Sequence, residues 1–194
     1  IVKLYKLKIN ERGKMLSTIE ARPFEMLEDL ISDVYESMDY LEKNKESQFF
    51  RRATIKAIFS FVECVPYILK YKLRSDITLN KCNYKLNDKE EKLVYEFDDF
   101  KTPLLDNFKR TFKLTKKVWE LKDFDLRTDS KDFQILRSSI HVRDKITHPK
   151  RHSDIVVSDM DIYNIYTSFE YIRSVFSALM TSRSTAFNYE LSEI

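Results

Sequence analysis

Residues 48–74 read QFFRRATIKAIFSFVECVPYILKYKLR, and this stretch sets the architecture. Ala53, Ile55, Ala57, Ile58, Phe59, Phe61, Val62, Val65, Ile68 and Leu69 cover most of the circumference of a helix. A helix apolar nearly all round belongs at the centre of a protein, with other elements wrapped about it. Only a narrow polar stripe interrupts it: Arg52, Lys56, Ser60, Glu63, Lys70 and Arg74. Pro66 is expected to kink this helix or remove one backbone hydrogen bond.

The flanking sequence supplies the wrapping. From Phe24, the residues Leu27, Leu30, Ile31, Val34, Met38 and Leu41 recur at helical spacing, with Glu25, Glu28, Asp29 and Glu36 opposite. This predicts an amphipathic helix that starts at Pro23 and ends near Asn44. Residues 1–22 are basic and weakly patterned, and read as an N-terminal arm or short helix. Residues 75–103 read as an insertion between core helices, with a capping box, Asn87-Asp88-Lys89-Glu90, starting a short helix through Phe97. Three further helices are predicted: Leu104 to about Leu121, Asp132 to about Thr147, and one begun by the capping signal Ser158-Asp159-Met160-Asp161. The chain contains one glycine and no Asn-Gly or Asp-Gly pair, so tight hairpins have no turn residues to use. The expectation is an all-α bundle of about five main helices in a single domain, 1–194.

Charge and composition narrow the function classes. A net charge of +3 permits an acidic partner such as RNA without requiring one. Cys64 lies in the apolar helix and Cys82 far from it in sequence, which suits a core thiol, no disulfide framework and a reducing, cytoplasmic setting. No uninterrupted apolar run reaches the length of a membrane span, so no membrane association is expected. The start at Ile1 rather than Met reads as that of a trimmed chain. A single glycine is too few for a phosphate-binding loop, so no cofactor is expected. No metal site is expected either, because Pro149 breaks the helix that would align His148 with His152.

The stretch with chemical potential is Arg143-Asp144-Lys145-Ile146-Thr147-His148, followed by Pro149. On a helical wheel Ile135, Ser139, Val142 and Ile146 form one row, and Phe133, Leu136, Ile140 and Thr147 another. Arg143 falls between them, in the middle of the inward arc, whereas Arg137, His141 and Lys145 fall outside it. A guanidinium aimed at a packed face needs a partner. Either Arg143 is half of a structural ion pair, with Glu63 the candidate acid, or it belongs to a site. Pro149 disfavours helical geometry at His148, so the helix should end there with its ring released from the wheel position. The spacing by itself is close to chance; the inward arginine and the helix-ending histidine carry the weight.

With those residues in place, the sequence resembles the HEPN superfamily of helical domains (higher eukaryotes and prokaryotes nucleotide-binding). Its signature is an arginine, often a following polar residue, and a closing histidine, matched by Arg143, Asp144 and His148. The wider pattern from Arg51-Arg52-Ala53 through Glu63 to Val157-Ser158-Asp159 is also similar, and the likeness spans roughly Phe24 to Arg183. One branch of the family has a tyrosine two residues after the histidine as a target of modification; Lys150 stands there, so that regulation is not expected.

The resemblance implies a four-helix core with extra helices and a metal-independent endoribonuclease, in the manner of a toxin or defence effector. The substrate's 2′-hydroxyl would attack the adjacent phosphate. His148 would move the proton, Arg143 would stabilise charge on the phosphoryl oxygens and Asp144 would orient either group. Lys145, Lys150 and Arg151, and the basic face from Lys109 to Lys117, would hold the RNA backbone. Family members commonly form homodimers in which two motifs share one cleft, and an antitoxin or other regulatory partner fits that setting. The rival expectation is a non-catalytic HEPN-like dimer that binds a nucleotide or RNA, or serves as a protein-interaction module.

Overall fold

The structure is a computed structural model. It describes the backbone of residues 11–95 and 102–192, and the side chains of 23–95 and 102–184. Among these residues there are six α-helices: α1 Glu11–Lys43, α2 Gln48–Thr78, α3 Asp88–Tyr95, α4 Leu104–Val118, α5 Lys131–Thr147 and α6 Asp159–Ser192. A 3-10 turn, His152–Ile155, precedes α6. There is no strand among the described residues, and the all-α expectation holds.

The long apolar helix is central. Helix α2 packs against every other helix of the bundle, and α5 lies along α6. Ile55, Ile58, Val62, Val65, Ile68, Leu69 and Leu73 of α2 are fully buried. Around them stand Leu27, Val34 and Leu41 from α1, Phe108 and Phe112 from α4, Phe133 and Leu136 from α5, and Ile165, Phe169 and Ile172 from α6. The rings of Phe61 and Phe169 meet edge to face at 5.1 Å, a geometry favoured by their quadrupoles. Buried polar groups have partners. The Ser139 and Ser168 hydroxyls lie 2.9 Å apart, so the serine that broke the apolar row of α5 meets α6. The buried Asp76 carboxylate accepts from Trp119 Nε1 at 2.9 Å and from Lys72 Nζ at 2.7 Å.

Helix ends follow local chemistry. Ser47 and Ser130 cap α2 and α5, each hydroxyl accepting from the backbone N–H three residues on. Asn87 and Glu90 close the expected capping box of α3, and Ser158 and Asp161 close another at α6. Helices α2 and α4 end in Schellman motifs: Lys81 N–H bonds the Asp76 carbonyl, and Leu121 N–H the Lys116 carbonyl. The left-handed position, usually glycine, is filled by Asn80 (φ 52°) and Glu120 (φ 53°). This glycine-poor chain thus accepts some backbone strain at both ends.

The structure departs from expectation at several boundaries. The first helix does not begin at Pro23 but at Glu11, with Pro23 inside it; of the arm, residues 1–10 lie outside the described residues. Proline removes one backbone bond at a cost of about 3 kcal/mol, and strong helix formers such as Glu20, Ala21 and Arg22 precede it. Helix α2 runs through Pro66, as expected, but continues past Arg74 to Thr78, where Asp76 is buried. Helix α3 is seen to Tyr95; the remainder of its expected span to Phe97 lies outside the described residues. Within the expected insertion, α3 packs on α2 and α4 and buries Val94, in keeping with a single domain. No helix among the described residues is long and apolar enough to cross a membrane.

A candidate site at the end of helix α5

Helix periodicity aims Arg143 at α2, and the structure places its guanidinium there. One terminal nitrogen pairs with Glu63 of α2, and the other lies 2.8 Å from Asp144 Oδ1. The expected partner is therefore the actual one, joined by a second acid from α5. Arg143 retains 26% exposure of its side chain and Glu63 42%. In surroundings this wet the pair contributes at most about 1 kcal/mol. Glu63 also lines an open depression of about 360 Å³ between α1 and α2, with Met26, Leu30, Ser60, Cys64 and Tyr67.

His148 is the C-cap of α5, with φ −128° and ψ 59°, and its side chain is exposed. Its own N–H still donates to the Asp144 carbonyl at 2.9 Å, but its dihedrals are no longer helical, so the helix ends on this residue as the following Pro149 leads one to expect. His148 follows the exposed row Arg137, His141 and Lys145, which lies within an arc of roughly 80°. Within one chain the Arg143 guanidinium is turned to Glu63 of α2, whereas His148 is exposed to solvent.

The segment after His148 is tightly organised. The backbone N–H groups of Lys150 and Arg151 donate to Asp154 Oδ2 at 2.9 and 3.2 Å, and Arg151 Nε lies 3.4 Å from Oδ1. The Lys150 N–H bond, then that of Arg151 and its guanidinium, hold the Asp154 carboxyl below its ordinary range. Lys145, Lys150 and Arg151 are all exposed. They bring three cations to the neighbourhood of His148, while Glu63 and Asp144 outweigh the charge of Arg143.

A set of residues outside that motif fixes this segment. Arg51 is buried at the start of α2 and uses its whole guanidinium. It donates to the Lys45 carbonyl at 2.8 Å and the Val157 carbonyl at 2.9 Å, and pairs with Asp159 at 2.5 Å. Gln48 brackets the Val157 backbone, giving to its carbonyl at 3.0 Å and accepting from its N–H at 2.8 Å. Arg52 donates to the Ile155 carbonyl at 2.9 Å. These three side chains hold the return from α5 into α6. The only sequence signal for them was the Arg51-Arg52 pair in the wider family-like pattern.

Chemically, the site offers an accessible imidazole, an oriented guanidinium, two carboxylates and three nearby cations. That set suits proton transfer beside a phosphate. No group of three or more His, Cys, Asp or Glu side chains placed to hold a metal occurs among the described residues. Compared with protein-family models, with curated proteins and with solved structures, the chain finds no match.

Proposed function

We propose that the protein is an endoribonuclease of HEPN type that acts as a homodimer. The observation that carries this reading is His148: an exposed imidazole at the C-cap of α5, adjoined in sequence by the exposed Lys145, Lys150 and Arg151. The imidazole takes the proton from the RNA 2′-hydroxyl, or returns one to the leaving 5′-oxygen. The phosphorane charge is met by guanidinium. Because the Arg143 guanidinium is turned to Glu63 of α2 while His148 is exposed at the helix end, the productive pair joins Arg143 of one protomer to His148 of the partner subunit. Asp144 keeps the guanidinium in its plane.

The test is RNA cleavage in EDTA by the wild type, Arg143→Ala and His148→Ala. The expected result is products with 2′,3′-cyclic phosphate ends, and loss of cleavage in both variants. Mixing the two inactive variants should restore about a quarter of wild-type activity, since half of the dimers are mixed and each carries one intact site of two. Unchanged cutting by His148→Ala, or equal cutting of DNA, overturns the reading.

A second reading rests on a specific observation, the neutralisation of Arg143 by Glu63 and Asp144. In that reading the arginine is a structural pair and the dimer binds RNA or protein without cutting. It predicts no cleavage by any form, with an Arg143→Ala variant that is less stable but otherwise unchanged.

A further inference from the structure

The charge of this chain is unevenly placed. Residues 104–151 carry thirteen Lys and Arg against seven Asp and Glu, whereas the other 146 residues carry 21 against 24. Residues 24–43, the latter part of α1, hold seven carboxylates and one lysine, and all seven carboxylates are exposed. Helices α1 and α4 pack against α2 and not extensively against each other. The molecule thus shows an acidic face on α1 and a basic one on α4 and α5.

The basic side has a definite layout. Arg110 and Lys113 of α4 are exposed and Lys116 half-exposed. Lys109 lies 5.4 Å over the ring of Phe133, which ties the α4 ladder to the first turn of α5. One turn farther along α5 begins the exposed row of Arg137, His141 and Lys145, which ends at His148. Among the described residues no carboxylate forms an ion pair with Arg110, Lys113, Lys116, Arg137 or Lys145, whereas Lys117 is occupied by Glu90.

The apolar surface lies elsewhere. The exposed large hydrophobic residues among those described include Tyr35 and Tyr40 of α1, Phe49 of α2, and Met160 and Tyr163 of α6; none is on α4 or α5. A protein partner needs an apolar centre to its interface, and exposed ion pairs alone give about 0–1 kcal/mol each. A face of unpaired cations with no apolar centre fits a polyanion instead.

We infer that the outer faces of α4 and α5 form a track for the backbone of single-stranded RNA, running from Arg110 and Lys113 over Arg137 and Lys145 to His148. The identity of the polyanion rests on the ribonuclease reading; the track itself rests on charge and exposure. Phosphates seated on it are delivered to the imidazole from the α4 side, while the exposed carboxylates of α1 offer the strand no seat.

The test uses a 2′-O-methyl RNA oligonucleotide, which lacks the attacking hydroxyl and so reports binding without chemistry. Binding is measured by fluorescence anisotropy across a salt series, with the full chain and with Arg110→Ala/Lys113→Ala/Arg137→Ala. Three lost phosphate contacts should weaken binding roughly 50-fold at 0.15 M salt and reduce the slope of log K against log salt by about 2. The equally charged change Lys43→Ala/Lys45→Ala/Lys56→Ala should leave both near wild type, and circular dichroism verifies that each variant is folded. Equal weakening by the two triple variants, or no binding by the wild type, overturns the track. So does loss of self-association in the α4–α5 variant with RNA binding intact, which would assign the face to a second copy. Failure of the cleavage reading is seen separately, as absence of cyclic-phosphate products from ordinary RNA bound with the expected salt slope.

Discussion

His148 and Arg143 sit five residues apart and do different physical work. The ring of His148 is exposed and packs in no core, so His148→Ala should abolish RNA cleavage while changing stability by no more than about 0.5 kcal/mol in a urea titration. A marked drop in stability would show that the imidazole is structural. The direction of Arg143 was legible in the sequence. Helical periodicity aimed it inward, and Glu63 was the one acid on the polar stripe of the helix it faced. The end of the helix at His148 was legible as well: Pro149 disfavours helical geometry before it, and His148 is the C-cap of α5 with φ −128° and ψ 59°. Which groups of other elements stand near the ring was not legible, since a cap residue leaves the periodic pattern that would place it.

At the scale of elements, the return from α5 into α6 is held by side chains of α2. Arg51→Met keeps the bulk but removes the guanidinium's own bonds to Lys45, Val157 and Asp159, leaving Gln48 on the Val157 carbonyl, so it should cost about 2–3 kcal/mol. Amide exchange at Val157 should rise well above that of the α2 core; equal protection in the variant would show that the clasp is not needed. The turn at Asp154 adds a pH dependence. Its carboxyl is depressed in the folded protein, so its contribution is complete at neutral pH and is lost as pH falls through the folded value. The amide shifts of Lys150 and Arg151 should therefore titrate together below about pH 4, and an Asp154→Asn protein should show no such step. The helices themselves were readable from apolar spacing and caps. The clasp was not, because bonds from Gln48, Arg51 and Arg52 to backbone more than a hundred residues away leave no periodic trace. The run of α1 through Pro23 escaped for a related reason: a local breaker was outweighed by the helix formers before it.

For the whole molecule, the central position of α2 decides which groups meet solvent. Cys64 is buried on that helix, and burial pushes its thiol up to about 11; Cys82 is half-buried beyond the end of α2. At pH 8 the folded protein should titrate one thiol quickly with a chromogenic disulfide and the second only in denaturant. Two fast thiols would mean that the bundle opens readily around its central helix. The division of charge between α1 and the α4–α5 side has a practical counterpart at this scale. A net charge of +3 describes neither surface. Near neutral pH the purified protein should adhere to sulfonate and to quaternary-amine resins alike, presenting a different face to each. Its elution from either column will then report the patch that touches the bead and not the isoelectric point.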